Sequence, residues 1–309
     1  EYRGYDSAGI AVYNDGAIAV RKKAGRLVNL AEEVKAHPVV GTLGIGHTRW
    51  ATHGGPSDVN AHPHTDEKGN FAIVHNGIIE NYMELKEELL KKGYHVKSET
   101  DTEVVAHLCA DMYDGDFTST VRKVLARLRG SYSLVFMCKF EPDKIICSKK
   151  DNPLIVGLGQ GENYIASDIP AILSYTRKTY IMNDGEIAIV MKDNVWVTDL
   201  EGKPISKKVF EVNWDAEAAE KGGFEHFMLK EIYEQPKAIK DTMSCRITKD
   251  GKHVHFEELN WTPEDVKSIG KILITACGTA YHAGLLAKYF IEKLARIPVE
   301  VDIASEYRY

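Results

Sequence analysis

The sequence predicts an α+β fold with antiparallel sheets for residues 1–211, followed by the beginning of an α/β unit with a parallel sheet. Three observations lead to this fold class. Short apolar strands separated by turn residues dominate the first part of the chain. Helical segments lie singly between groups of strands, and hairpin signals outnumber crossovers. Near the end, residues 271–304 run from an apolar strand through a small-residue turn and an amphipathic helix to a second apolar strand.

Length, charge and cysteine usage limit the class of protein. The 309 residues exceed the ~100–200 residues of one typical core, so we expect two domains. A net charge of −6 argues against a nucleic-acid-binding surface. No apolar run approaches the ~18–20 residues that span a bilayer, and no signal peptide is visible. Five scattered cysteines without a C-x-x-C pair indicate reduced thiols in a cytoplasm rather than a disulfide framework or a zinc site.

The first part of the chain carries clear strand and helix signals. Asn14-Asp15-Gly16 between alternating segments predicts a hairpin, and LGIGHTRWA and FAIVHNG are typical of buried strands. NYMELKEELLKKG predicts a helix that stops at Gly93. Thr100 and Glu103 have the spacing of a capping box before the helix EVVAHLCADMY, and STVRKVLARLRG predicts a further helix that ends at Gly130.

A change in composition divides the chain. Residues 212–225 are polar, carry charges of both signs and include two adjacent glycines, so we expect a linker between a domain at 1–211 and a second one at 226–309. The second domain should open with a helix that ends near Pro236. Thr262-Pro263 predicts another helix start. One βαβ unit cannot close a core, so we expect this domain to be incomplete.

The densest chemical stretch is GHTRWATHGG, residues 46–55. Arginine binds a carboxylate through two parallel hydrogen bonds, and Arg49 is delivered here by a strand. The hydroxyl of Thr52 and the imidazole of His53 would complete a carboxylate pocket. The alternative is a strand end at which Arg49 makes a structural ion pair and Trp50 belongs to the core.

Two further stretches suggest complementary groups. In HNGIIEN, the Asn76 side-chain amide and the Gly77 backbone N–H are adjacent donors that would form an oxyanion hole, although Asn-Gly is usually a turn. In SETDTE, Asp101 would bind a substrate ammonium, or would only be a favourable charge at a helix N-terminus. An arginine and an aspartate together would recognise a free amino acid.

Other ligand classes are less well supported. The chain has several histidines and an aspartate close together in sequence, but none at a familiar metal-ligand spacing: His47, His53, His62, His64, His75 and Asp66. GLGQG predicts a hairpin turn rather than a nucleotide loop. ACGTA, at a strand–helix junction, suits a sugar phosphate better than a dinucleotide, and a plain turn is nearly as good an interpretation.

These segments together resemble one family. EYRGYDSAGIAV, GHTRWATHG, HPH, HNGIIENY, SETDTEV, HFMLKEIYEQP and ACGTAYHAG occur in the order seen in the isomerising glutamine–fructose-6-phosphate aminotransferases. The resemblance extends from residue 1 to residue 309. It implies a class II glutamine amidotransferase domain with the four-layer αββα N-terminal-nucleophile hydrolase fold. This domain would be followed by the start of a sugar isomerase (SIS) domain, an α/β fold with a doubly wound, parallel sheet.

The resemblance also implies how glutamine is held. Arg49 would bind the α-carboxylate, with Thr52 and His53 supporting that pocket. Asp101 would bind the α-ammonium. Trp50 would lie at the mouth of an ammonia channel and gate it.

The resemblance assigns the remaining roles as well. Asn76 and Gly77 would form the oxyanion hole. Thr279 would lie at the sugar-phosphate site, where Ala280 replaces the serine of many relatives and removes one hydrogen bond to phosphate. The nucleophile of the family is the thiol of an N-terminal cysteine, which Arg3 would orient, whereas this chain begins with Glu1. We therefore expect either that the cysteine-bearing segment lies outside this sequence or that the protein is a pseudo-glutaminase.

The function implied is hydrolysis of L-glutamine and transfer of the ammonia to fructose 6-phosphate, giving glucosamine 6-phosphate. No metal or organic cofactor is expected, the full-length protein should be a cytoplasmic homodimer, and neither nucleic acid nor membrane should be a partner. We expect the 309-residue chain alone to be inactive. The alternatives are another class II amidotransferase with a different acceptor, and a non-catalytic module that binds glutamine or a sugar phosphate.

Overall fold

The structure is a computed structural model. It describes residues 6–50, 54–212, 224, 226–243, 246–247, 253–254, 259 and 261–307. The chain divides into two compact units, Glu1–Gly222 and Gly223–Tyr309, which are described separately. None of the helices in these described ranges is long and apolar enough to cross a membrane.

The first unit contains thirteen of the strands and four of the helices that the structure describes. The strands are β1 Ser7–Asn14, β2 Ala17–Ala24, β3 Leu43–Arg49, β4 His64–Thr65, β5 Phe71–Ile79, β6 Gly130–Cys138, β7 Lys144–Lys150, β8 Ile155–Leu158, β9 Asn163–Ala166, β10 Lys178–Ile181, β11 Ile187–Met191, β12 Val195–Thr198 and β13 Phe210–Glu211. The helices are α1 Leu27–Ala36, α2 Tyr82–Lys91, α3 Glu103–Met112 and α4 Phe117–Leu125.

A six-stranded antiparallel sheet in the order β12-β11-β7-β6-β5-β4 forms the centre of this unit. Because successive side chains of a strand point to opposite faces, the four central strands, β5, β6, β7 and β11, contribute to two cores. On β5, Phe71 and Ile73 pack in one core with residues of α2, α3 and α4. Ala72 and Val74 pack in the other core, with residues of the remaining sheets.

Four layers result from this packing. Helices α2, α3 and α4 cover the first face of the six-stranded sheet. The second face packs on a three-stranded sheet, β2-β1-β3, and a four-stranded sheet, β13-β10-β8-β9. Helix α1 contacts β2 and β1. The predicted αββα arrangement is confirmed, as is the hairpin at Asp15-Gly16, whose two residues both have positive φ, 46° and 80°.

Two predicted details of the helices are wrong. Thr100 does not cap α3, because its Oγ1 hydrogen-bonds Ser98 Oγ (2.9 Å) and His64 Nε2 (3.1 Å) in a buried polar network. The Glu103 carboxylate instead accepts the backbone N–H of Lys97 at 2.9 Å. Helix α4 ends at Leu125, five residues before Gly130, which begins β6 with a φ of 125°.

The second unit contains the predicted βαβ element. Its elements are α5 Phe227–Met243, α6 Pro263–Lys267, β14 Ile272–Ala276, α7 Gly278–Leu294, β15 Val299–Ile303 and α8 Ala304–Tyr307. Strands β14 and β15 pair in parallel, and Thr262 and Asp265 form a capping box before α6. Helix α5 continues through Pro236, contrary to the prediction. Residues 231–240 are exposed, so water can satisfy the carbonyl that the missing proline N–H leaves without an intrahelical partner.

Candidate active site

A cavity of about 290 Å³ lies where β3, β5 and the segment before α3 meet. It is lined by five of the residues that the sequence singled out: Arg49 and Trp50 from the end of β3, Asn76 and Gly77 from β5, and Asp101 from the segment before α3. These residues are up to 52 positions apart in the chain (101 − 49 = 52). The antiparallel layers therefore bring together the three chemical groups that the sequence predicted separately.

The backbone at Gly77 admits no side chain. Gly77 has a φ of 125°, and a Cβ there would lie 2.0 Å from the carbonyl oxygen of Ser131 and 2.4 Å from Nδ2 of Asn152. Its neighbour Asn76 is held from two directions. Nδ2 of Asn152 donates to the Asn76 carbonyl oxygen at 3.1 Å, and Nε2 of His47 lies 2.8 Å from Asn76 Oδ1. The adjacent donors are thus fixed in position, as an oxyanion hole requires.

The Arg49 guanidinium forms a buried corner of the cavity. The residue is 4% exposed, and its Nη2 donates to the carbonyl oxygen of Gly54 at 2.9 Å. Nη1 lies 3.5 Å from the Gly55 carbonyl oxygen and 3.9 Å from a carboxylate oxygen of Asp6. These contacts set the plane of the guanidinium, which is the condition for binding a carboxylate through two parallel hydrogen bonds.

The Asp101 carboxylate is held at another wall of the cavity. Its Oδ2 accepts the backbone N–H of Ile79 at 2.7 Å, and its Oδ1 accepts the hydroxyl of Thr102 at 3.3 Å. The Thr102 hydroxyl also lies 2.9 Å from Nδ1 of His75. The hydrogen bonds orient a negative charge beside β5, where it would attract an ammonium group.

Neutral histidines line the site beside these residues. The rings of His47 and His62 stack with centroids 4.5 Å apart, and His62 meets His64 edge-on at 4.7 Å. Burial lowers the pKa of His47, lowers that of His62 well below its usual range, and lowers that of His64 to about 3. No group of three or more His, Cys, Asp or Glu residues within the described ranges is arranged to hold a metal ion.

The sequence reasoning treated His47 only as a possible metal ligand. Its contact with Asn76 was missed, although a signal was present. His47 and Arg49 are two residues apart on β3 and therefore lie on the same face of the strand. A histidine on the same strand face as a ligand-binding arginine is expected to line the same cavity.

The cysteines in the described part of the first unit are poor nucleophiles. Burial raises the pKa of the Cys138 thiol to about 11 and that of Cys147 to about 12, and it raises that of Cys109 well above its usual range. A thiol with so high a pKa holds almost no thiolate near neutral pH. None of these three buried thiols lines the cavity.

The remaining predicted residues lie elsewhere. Arg3, Thr52 and His53 are outside the residues that the structure describes. Thr279 lies in the second unit, exposed, in the first turn of α7. The structure therefore brings together the predicted residues of the first unit that it describes, and Thr279 belongs to a separate unit.

A family model matches the part of the first unit that contains this cavity. Residues 47–174 match the family model described as a glutamine amidotransferase domain. The matched residues include Arg49, Trp50, Asn76, Gly77 and Asp101, which line the cavity.

Two solved structures share the fold. The allosteric regulatory enzyme of purine biosynthesis has a TM-score of 0.55 and 27% identity, over 64% of this chain and 44% of that one. The glutamine phosphoribosylpyrophosphate amidotransferase of B. subtilis has a TM-score of 0.55 at 20% identity, over 97% of this chain and 60% of that one. At 20% identity, the similarity to the B. subtilis enzyme shows a shared fold only.

The curated relatives are more similar. Glutamine–fructose-6-phosphate aminotransferase (isomerizing) of Caldanaerobacter subterraneus subsp. tengcongensis is 59% identical over all 309 residues, which correspond to 51% of that protein. The enzyme of the same name from Clostridium tetani is 56% identical over 100% of this chain and 51% of its own length. The chain thus spans about half the length of the curated relatives that it matches. Over that length, the chain is similar to glutamine–fructose-6-phosphate aminotransferases, and residues 47–174 of it match a glutamine amidotransferase domain.

Proposed function

We propose that the chain carries the glutamine-binding site of an enzyme that hydrolyses L-glutamine and transfers the ammonia to fructose 6-phosphate, which makes glucosamine 6-phosphate. One observation carries the proposal: Arg49, Asp101 and the Asn76–Gly77 pair line a single cavity of about 290 Å³. A carboxylate-binding group, an ammonium-binding group and an oxyanion hole are what glutamine hydrolysis requires. The names of the curated relatives supply the acceptor.

Glutamine would be bound at its α-carbon end by opposite charges. The guanidinium of Arg49 would bind the α-carboxylate, with Thr52 and His53 completing that pocket. The carboxylate of Asp101 would bind the α-ammonium. Both groups are already oriented by neighbouring hydrogen bonds, so little ordering is needed when the substrate binds.

The side-chain amide would then lie at the oxyanion hole. A thiolate attacks the amide carbon, and the negative charge that develops on the oxygen is stabilised by Nδ2 of Asn76 and the backbone N–H of Gly77. The intermediate collapses, the C–N bond breaks, and protonated nitrogen leaves as ammonia. Water hydrolyses the resulting thioester to glutamate and restores the thiol. The nucleophile in this proposal is an N-terminal cysteine whose own α-amine is the base and which Arg3 orients.

A second cavity supports a route for the strand that would carry this cysteine. Strands β3 and β9 each pair with one neighbour, and neither has a second partner among the described residues. Residues 46–48 of β3 and 165–166 of β9 border a cavity of about 490 Å³, which shares His47 and Asn76 with the active-site cavity. A strand inserted there would hydrogen-bond to β3 and to β9, and its N-terminal cysteine would lie beside the oxyanion hole.

The second unit would begin the acceptor domain, a sugar isomerase domain. Thr279 lies in the first turn of α7, where backbone N–H groups and the helix dipole favour a phosphate. Trp50, at the end of β3 and 59% exposed, is positioned to gate the passage of ammonia. We further propose that the enzyme is cytoplasmic, because the described cysteines are all free thiols. We also propose that it is a homodimer, as the family resemblance implies.

The test uses the full-length protein expressed from the gene that encodes this chain. With L-glutamine and fructose 6-phosphate, it should release glutamate and glucosamine 6-phosphate in equal amounts. Glutamate release with no amino sugar from this acceptor would favour a different amidotransferase. Glutamine binding without any turnover would favour a non-catalytic module. The 309-residue chain alone should release no glutamate, and turnover by it would contradict the assignment of the nucleophile.

A further inference from the structure

The side chain of Asn76 has a contact that the reaction chemistry does not by itself explain. Its Oδ1 lies 2.8 Å from Nε2 of His47, a residue of β3 in the facing sheet. An asparagine amide has an acceptor end and a donor end, and only the donor end can stabilise an oxyanion. Whatever holds Oδ1 therefore determines whether the Nδ2 group is presented to the substrate.

The contact with Asn76 itself defines the tautomer of His47. An amide oxygen can only accept a hydrogen bond, so the ring nitrogen that lies 2.8 Å from Oδ1 must be the donor. A neutral imidazole carries one proton, which therefore lies on Nε2. Nε2 then donates to Asn76 Oδ1, and the Nδ2 group turns away from the histidine.

The position of the His47 ring is fixed in turn by its neighbours. The ring of His62 stacks on it with an angle of 22° between the planes and a centroid distance of 4.5 Å. His62 cannot rotate freely, because its Nδ1 accepts the backbone N–H of His75 at 3.2 Å. His75 directly precedes Asn76 on β5, so the two strands and the stacked rings hold donor and acceptor in register.

We propose that His47 is a positioning residue for the oxyanion hole, which it orients by donating Nε2–H to Asn76 Oδ1. The inference rests on the proposed function, because it assumes that Asn76 Nδ2 stabilises the oxyanion. In this proposal, the effect of His47 on the reaction passes through Asn76, whose Oδ1 it contacts. Loss of His47 should lower the rate of the chemical step and leave the affinity for glutamine unchanged, since Arg49 and Asp101 bind the other end of the substrate.

A double-mutant cycle in the full-length enzyme tests this coupling. Removing one oxyanion-hole donor costs about 100–1,000-fold in kcat, so Asn76→Ala should fall in that range. His47→Leu should lower the glutaminase kcat by about 10–100-fold, because it removes part of the stabilisation that Asn76→Ala removes completely. Its KM for glutamine should stay within about twofold of the original value. The double variant should be no slower than Asn76→Ala alone. Fully multiplicative losses would overturn the proposal, because they would show that His47 acts independently of Asn76.

Two conservative variants separate positioning from packing. A glutamine at position 47 can place its side-chain N–H near the location of Nε2, whereas an asparagine places it near Nδ1. His47→Gln should recover most of the lost kcat and His47→Asn should not. Equal activity of the two variants would overturn the proposal.

The controls identify which idea fails. His37→Leu removes an exposed histidine that bonds Glu33, and it should leave kcat within about twofold of the original enzyme. If Asn76→Ala itself keeps full activity, the oxyanion-hole assignment fails, and with it the premise of the proposal. If Asn76→Ala is slow but His47→Leu is not, only the positioning role of His47 fails. Melting temperatures are measured for every variant, so that a folding defect is not counted as lost positioning.

Discussion

Substitution of Gly77 by alanine tests the geometry of the oxyanion hole most severely. The new Cβ would lie 2.0 Å from the Ser131 carbonyl oxygen and 2.4 Å from Asn152 Nδ2, so the backbone of β5 must move. The φ of 125° adds strain, because residues with a side chain rarely adopt it. Strain of about 1–3 kcal/mol and overpacking of a further 1–3 kcal/mol give a loss of about 2–6 kcal/mol in the free energy of unfolding.

Gly16→Ala is the matched control for this variant. Gly16 also has a positive φ, 80°, but a Cβ there meets nothing within 4 Å. The control therefore introduces the backbone strain without the clash, and it should lower the free energy of unfolding by about 1–3 kcal/mol. It lies in the β1–β2 turn, away from the cavity, and should keep glutaminase activity.

Melting temperature and glutaminase activity are measured together. In a unit of about 200 residues, 1 kcal/mol corresponds to a shift of about 2–4 °C, so Gly77→Ala should melt about 4–24 °C lower. Its glutaminase kcat should also fall at least about 100-fold at a temperature at which it remains folded, because Asn76 and the Gly77 N–H move with the backbone. If Gly77→Ala melts no lower than Gly16→Ala and retains activity, the proposed geometry is refuted.

Three other predictions concern single properties of the site. Burial lowers the pKa of His62 and His64, the latter to about 3. These two histidines therefore stay neutral in the folded protein, whereas in the unfolded chain they bind protons below about pH 6.5. Stability should therefore fall by about 2 kcal/mol per histidine between pH 7 and pH 5, and an unchanged urea midpoint at pH 5 would contradict this. Arg49→Lys loses the planar fork that contacts Gly54 and a carboxylate, so steady-state kinetics should show KM for glutamine raised at least about tenfold; an unchanged KM would remove Arg49 from the binding site. Trp50→Ala should change stability by less than about 0.5 kcal/mol and keep glutamate release, but lower the yield of amino sugar per glutamate; an unchanged yield would exclude a gating role.

The sequence predicted those features that depend on local patterns. FAIVHNG forms the buried strand β5 as predicted, and the Asp15-Gly16 turn joins β1 to β2. The βαβ element of the second unit was likewise visible in its small-residue turn and amphipathic helix. In each of these cases, the local signal and the tertiary packing favour the same structure.

Other features depend on contacts between distant residues. Thr100 has good capping chemistry, but a buried hydrogen bond to His64, 36 positions away, replaces the cap. A proline usually ends a helix, but Pro236 lies in an exposed part of α5, where water can replace the missing hydrogen bond. The His47–Asn76 contact joins two facing sheets and has no local sequence signal beyond the strand face. The type of each candidate group was therefore predictable, whereas the partner that orients it was not.

The central claim is that one cavity has a binding end at Arg49 and Asp101 and a reactive end at Asn76 and Gly77. Steady-state glutamine hydrolysis by two variants of the full-length protein tests it most directly. Asp101→Asn should raise KM at least about tenfold with a smaller change in kcat, and Asn76→Ala should lower kcat about 100–1,000-fold with KM nearly unchanged. If the two variants exchange these effects, or if both leave the kinetics unchanged, the assignment of the two ends is contradicted.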